Sequence, residues 1–277
     1  MKRPRYVAAI TVVLFAGYCL RVIGLDAHPL WWDEAYTAVF ANFTLLGIVT
    51  QLVPDHVPLH FYAESQWVRV AGPSIYALRY LSVILGMLTV ALMHYLPRVC
   101  RLRPAALPAT AALAVAPFAV YYSQEARMHV LWACLGLASL IALLRALKHP
   151  RQTGRWVAYG LLAVATLYSF YYSALFLIGI NLPILLLKRV RSRAWLVSNA
   201  AAALALAPWL IYVGVRTVAY LPERLANGND VTVPQFAGIT LAALGSGLDG
   251  GAVAGLAAGV ALLTAGLLVL PRLTRQI

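Results

Sequence analysis

Long apolar runs, broken by short polar intervals, set the pattern of the chain. They fall at about 6–25, 74–96, 105–122, 128–147, 156–170, 172–187, 194–213 and 252–270. A helix needs about 20 apolar residues to cross the hydrocarbon core of a bilayer, so the pattern predicts about eight transmembrane helices. Phe236–Ser246 is apolar but too short to cross, and reads as a re-entrant or interfacial segment. The longest polar interval, 26–73, is rich in Trp, His, Pro and acidic residues and predicts a short amphipathic helix or two. Tyr121–Arg127 and Tyr168–Ser173 read as tight turns, and 214–235 as a loop with a turn at Asn227–Asp230. The expected fold class is all-α, a polytopic integral membrane bundle.

Composition agrees. Of 277 residues, 62% are hydrophobic and 11% charged, with a mean hydropathy of +0.78. Soluble domains carry about a quarter charged residues, so an ordinary soluble protein, a disordered chain and a disulfide scaffold are all excluded. The net charge of +13 would suit nucleic acid, but the placement of the charges argues against it. Basic residues cluster at alternate ends of the runs: Lys2, Arg3 and Arg5; Arg98, Arg101 and Arg103; Arg145, Lys148, Arg151 and Arg155; Lys188, Arg189, Arg191 and Arg193; Arg272 and Arg275. All nine acids (Asp26, Asp33, Glu34, Asp55, Glu64, Glu125, Glu223, Asp230 and Asp249) lie in the other intervals. Cytoplasmic loops are enriched in Lys and Arg, which predicts a cell-membrane protein with both termini cytoplasmic and its carboxylates outside. Basic residues divided among five short loops build no nucleic-acid groove. Lys2–Arg5 resembles the start of a signal peptide, but the apolar stretch to Leu25 is long and no clear cleavage site follows, so it reads as a retained first span. Cys19, Cys100 and Cys134 lie too far apart for a metal spacing or a disulfide set.

Polar side chains pool in the first two outer intervals, and chemistry is expected there. Trp31–Thr37, WWDEAYT, sets two carboxylates beside two tryptophans at a membrane surface. A low dielectric raises a carboxyl pKa, so Asp33 or Glu34 could take a proton from a hydroxyl. Neighbours on a helix point about 100° apart, so one of the two should face a shared pocket. The alternative is structural: Asp33 as a helix N-cap, Glu34 in the first turn, and Trp31 and Trp32 as an interfacial belt. In Asp55–Tyr62, His56 and His60 are four apart and share one face if the segment is helical, although Pro58 weakens that geometry. They could bind a metal, orient an acceptor or hydrogen-bond a phosphate, or be ordinary loop histidines. Tyr121–His129, YYSQEARMH, places Glu125 two residues from Arg127 beside two tyrosines. A forked guanidinium suits a lipid phosphate. The alternative has Ser123 capping the next helix and Arg127 snorkelling to the surface.

In this order and on the same side, WWDEAYT, HVPLHFY and YYSQEARMH resemble the multi-spanning GT-C glycosyltransferases, in particular the bacterial branch related to protein O-mannosyltransferases and aminoarabinose transferases. The resemblance covers about residues 1–215, a catalytic transmembrane module, and leaves 216–277 as an outer loop plus a final helix. It implies inverting transfer of a sugar from a polyprenyl-phosphate donor to an outer lipid, glycan or protein acceptor. It also implies Asp33 as catalytic base with Glu34 as neighbour or substitute, Glu125 as a second catalytic acid, and Arg127 at the donor phosphate. Tyr122, His60, His56, Arg79 and Trp32 would line the substrate site; Arg216 and Arg224 could also meet the phosphate. No cofactor is required, and a divalent metal is left open. Relatives of this kind are generally longer, which implies a shortened, split or partner-dependent enzyme. A lipid flippase or transporter, or a non-catalytic membrane subunit built on the same shell, is the alternative.

Overall fold

Four helices of the computed structural model, which describes residues 3–53, 56–186 and 192–227, have the length and apolarity to cross a bilayer. They are α1 (Arg3–Val22), α5 (Ile75–Val99), α8 (Met128–Lys148) and the Arg193–Arg216 part of α11 (Arg193–Asn227). Together α6 (Ala106–Val115) and α7 (Pro117–Ser123) make a fifth crossing if the pair, bent by 58°, counts as one. Eight crossings were expected. At 1.5 Å per residue, α9 (Thr153–Leu167, 15 residues) falls short of a core of about 30 Å, and α10 is described over Ser173–Leu186, up to residues that lie outside the described ones. The run 252–270, the segment 236–246 and most of the turn at Asn227–Asp230 lie outside the described residues. No strand occurs among the described residues.

Several local expectations are corrected. The run 105–122 is two helices bent by 58°, because Pro117 has no N–H for the Leu113 carbonyl and cannot continue the α6 ladder. The loop expected from 214 is helical to Asn227, part of the single 35-residue helix α11. The interval 26–73 folds into three helices, α2 (Trp32–Phe40), α3 (Leu45–Gln51) and α4 (Pro58–Ala71), and Gly72 ends α4 at φ 86°. Asp33 is not an N-cap: Trp31 holds that position, and Asp33 and Glu34 lie in the first turn of α2, where the helix dipole favours carboxylates. Helix α4 starts at Pro58, which fits a first turn because its missing N–H would have no helical partner there. His56 therefore precedes the helix, and the pairing of His56 with His60 on one helical face fails. Ser123 closes α7, while Arg127 precedes α8.

Basic side chains from separate helix ends meet at one end of the bundle. At one end Arg98 donates to the Tyr6 hydroxyl at 3.2 Å, Lys148 donates to the Val99 carbonyl, and Arg155 donates to the Arg145 carbonyl at 3.3 Å. Helices α2 to α4 cap the other end, with Asp33 and Glu34 on α2 and Glu64 on α4, and there the Leu59 N–H meets the Tyr168 carbonyl at 3.2 Å. Phe40, Ile48, Leu52, Val57 and Phe61 of this cap share one core with Trp209 and Val213 of α11. Helices α9 to α11 are held by a buried polar network in which Asn181 donates to Tyr159 Oη at 2.8 Å and accepts from Trp195 Nε1 at 2.7 Å. Such bonds between membrane helices are worth about 0.6–2 kcal/mol each.

Candidate active site at the acidic end of the bundle

The first turn of α2 divides its two carboxylates. Glu34 is fully buried and held by a fork: Arg79 Nε donates to Oε1 at 2.8 Å and Nη2 to Oε2 at 2.6 Å. Arg79 also donates to the carbonyls of Leu25, His28 and Pro29. A third donor reaches Glu34 from far along the chain, the Ala126 N–H at 2.9 Å. Asp33, 100° round the helix, keeps 37% of its side-chain surface. Glu34 and Arg79 thus use each other, and Asp33 is the exposed carboxylate of the pair.

Arg127 joins the two turns. Its Nη2 lies 3.2 Å from Asp33 Oδ2, and its Nη1 donates to the Asp33 carbonyl at 3.1 Å. Only 5% of Arg127 is exposed, so it does not snorkel. Nη2 also donates to His56 Nε2 at 3.4 Å. His56 is held in turn by ring contacts with Tyr36 and Phe61 and by Tyr171 Oη on its carbonyl at 3.2 Å, with Trp209 Nε1 behind that hydroxyl at 3.1 Å. A line of contacts therefore runs from α11 through His56 to Arg127 and Asp33. Tyr122 stacks edge-on with His129 at 4.4 Å, while Trp32 is 81% exposed where α2 begins.

Glu125 is buried beside this pair. Loss of hydration pushes its carboxyl up, as does the Glu34 charge; the Tyr121 hydroxyl, Arg127 and Arg79 pull it back. His60 donates from Nε2 to the Ala126 carbonyl at 3.3 Å, and burial beside Arg127 pushes it down to about 3, so it is neutral. One turn further along α4, Glu64 is fully buried, and neither oxygen has a hydrogen-bond partner among the described residues. Burial pushes that carboxyl well above 4.5. A raised carboxyl binds protons in the folded state that the unfolded chain has released. Its stability contribution is therefore intact below about 4.3 and is lost as pH rises toward the folded value. His60, shifted down, acts on the acid side: stability is complete above about 6.5 and lost as pH falls. Glu64→Gln is accordingly expected to remove most of the decline in Tm above pH 5 while leaving the acid limb, as read by thermal unfolding at a series of pH values.

Beside the acidic turns lies an apolar groove of about 540 Å³ between α3, α4, α9 and α11, lined by Leu45, Leu59, Tyr62, Val164, Tyr168 and Trp209 among others. The first turn of α4 separates the two, with Leu59 and Tyr62 toward the groove and His60 and Phe61 buried. Arg216 donates to the Leu52 carbonyl at 2.9 Å and lies over the Tyr212 ring, another groove wall. The Arg224 side chain and Asp55 lie outside the described residues. Among the described residues no three His, Cys, Asp or Glu side chains gather as a metal site. Sequence reading passed over Glu64, whose signal was an acid on the apolar face of α4, and Arg21, an ionisable residue inside an apolar run.

Among curated proteins, none matches the chain. A sequence family described as dolichyl-phosphate-mannose-protein mannosyltransferase matches residues 55–213, a span that contains α4 to α10, the turn with Glu125 and Arg127, and the groove-lining part of α11. With more than half of its length matched, the chain belongs to the dolichyl-phosphate-mannose-protein mannosyltransferase family.

Proposed function

We propose that the chain transfers a sugar, with inversion, from a polyprenyl-phosphate donor to an acceptor hydroxyl or amine at the outer face of the cell membrane, in the manner of the bacterial branch of this family. Asp33 takes the proton of the acceptor as its oxygen or nitrogen bonds to the anomeric carbon. The bond from that carbon to the phosphate oxygen breaks, and the polyprenyl phosphate leaves with one more negative charge. A fixed cation must meet that charge, and Arg127 is the nearest. Glu34 and Arg79 act as the frame that aims Asp33; Glu125, with its raised carboxyl, sits where it can hydrogen-bond the acceptor or sugar.

The observation that carries this reading is the contact of Arg127 with Asp33, a cation and a half-exposed carboxylate brought together from turns 94 residues apart. The apolar groove supports it. A polyprenyl chain needs a greasy channel that starts beside the charged centre, and the groove offers one across a single turn of α4. Val164→Trp, which fills the groove wall, is expected to raise KM for a long-chain polyprenyl-phosphate sugar about tenfold, equivalent to 1.4 kcal/mol. KM for a short-chain analogue should stay near the wild-type value. Equal effects on both donors would remove the groove from the reading. The function itself is tested by incubating purified protein in proteoliposomes with polyprenyl-phosphate mannose and candidate acceptors. No transfer by wild type, under conditions in which the protein is folded, overturns it.

A further inference from the structure

Arg21 lies in the last turn of α1, inside an apolar run, and is 1% exposed. No carboxylate pairs with it among the described residues; oxygens from three segments surround it instead. Nη1 donates to the Gly17 carbonyl at 2.8 Å and to the Ala114 carbonyl at 2.7 Å, and Nη2 donates to the Leu113 carbonyl at 3.3 Å. Nε donates to Ser123 Oγ at 3.1 Å. The Leu113 carbonyl is the group that Pro117 leaves without a helical partner, and the 58° bend opens the ladder around Ala114 as well. In hydrocarbon an unmet carbonyl costs several kcal/mol, so a broken span persists only where something else meets those groups. Arg21 meets them, and with the same side chain it holds the far end of α7 through Ser123.

Packing around the junction leaves little freedom. A Cβ on Gly86 of α5 would stand 2.3 Å from Ser123 Oγ and 3.2 Å from Arg21 Nε, and one on Gly17 would stand 3.1 Å from Ala114 Cβ. The residue after Ser123 continues the tie: Gln124 Nε2 donates to the carbonyls of Leu20 and Ile23 at 3.1 Å each. The next three residues are Glu125, Ala126 and Arg127, which carry the raised carboxyl, the N–H on Glu34 and the cation on Asp33.

We propose that Arg21 is a positioning residue: by bridging both sides of the α6–α7 break it fixes where the 124–127 turn lies, and so sets Glu125 and Arg127 against Asp33. It touches neither donor nor acceptor. The catalytic part of this statement rests on the proposed sugar transfer; the structural part does not, and the two are read separately. Arg21→Met keeps the length and apolar stem and removes the donors, Arg21→Lys keeps the charge without the fork, and Gly86→Ala presses on Ser123 while leaving Arg21 in place. Amide hydrogen exchange on wild type and variants in micelles is the first reading. Arg21→Met is expected to raise exchange at residues 118–127 at least tenfold, with α8 and α9 unchanged. A rise spread evenly over the bundle, or none, overturns the proposal. Turnover is the second reading, corrected for folded protein. Arg21→Met is expected to lower kcat at least tenfold at little-changed donor KM and to displace the pH profile of kcat, because Glu125 loses its setting; Arg21→Lys and Gly86→Ala should fall between. Wild-type kcat per folded molecule with an unmoved pH profile overturns the positioning role. If wild type transfers no sugar, the functional reading fails, and the exchange result still decides the role of Arg21 in the turn.

Discussion

Asp33→Asn is expected to lower kcat for sugar transfer by about 10²–10⁴-fold, the usual contribution of a positioned general base, with donor KM changed much less. Asparagine keeps the size of the side chain and can still accept from Arg127, but it cannot hold the acceptor's proton. Because Asp33 is 37% exposed and its partner Arg127 keeps a bond to the Asp33 carbonyl, the substitution should cost little stability. That separates chemistry from folding: near wild-type Tm together with a thousandfold loss of turnover is the result the base role requires. Turnover within a factor of three of wild type would sink the assignment, and would return the chain to the flippase or non-catalytic readings, which place no demand on a base at this position.

The helical class and the division of charge were legible in the sequence because both follow from one-dimensional quantities, run length and the sign of the charges between runs. So were the two short acidic turns, since charge at a membrane surface is conspicuous among apolar runs. What the sequence could not divide was the pair Asp33–Glu34. Adjacent carboxylates look alike in a string; only the position of Arg79, 45 residues away, makes one a buried anchor and leaves the other exposed. The shared helical face of His56 and His60 failed for a related reason: their spacing is helical, but Pro58 starts the helix between them, so that one meets Arg127 and the other Ala126. Of the eight expected crossings, the described residues show four, or five with the bent pair, because apolar run length measures composition while α9 ends at 15 residues, and the last expected run lies outside the described residues. Arg21 was passed over because its partners are carbonyls, which every residue carries and no pattern reveals.

Arg79→Met is expected to be the most damaging single change to the fold. It leaves Glu34 fully buried with one N–H donor, that of Ala126, in place of three. Removing one partner of a buried ion pair costs about 3–5 kcal/mol, because the remaining charge is stranded. Here the loss spreads, since the carbonyls of Leu25, His28 and Pro29 lose their donor in the same step and the approach of α1 to α2 is no longer fixed. Unfolding in mixed micelles should show that loss as a large fall in the midpoint. Arg79→Lys should fall less, keeping the charge but losing the two-pronged fit. Glu34→Gln should be milder still, because an amide oxygen can accept from Arg79 and from Ala126 at once. Combining Glu34→Leu with Arg79→Met should recover part of the loss and not all of it: the stranded charge is gone, but the Ala126 N–H and three carbonyls still lack partners. An Arg79→Met protein with the wild-type unfolding midpoint and wild-type turnover would mean that Arg79 neither frames the site nor serves the substrate. Midpoint unchanged with turnover lost would mean that Arg79 acts at the site itself, by aiming Asp33 or by meeting the substrate, and that its bonds do not limit the stability of the fold.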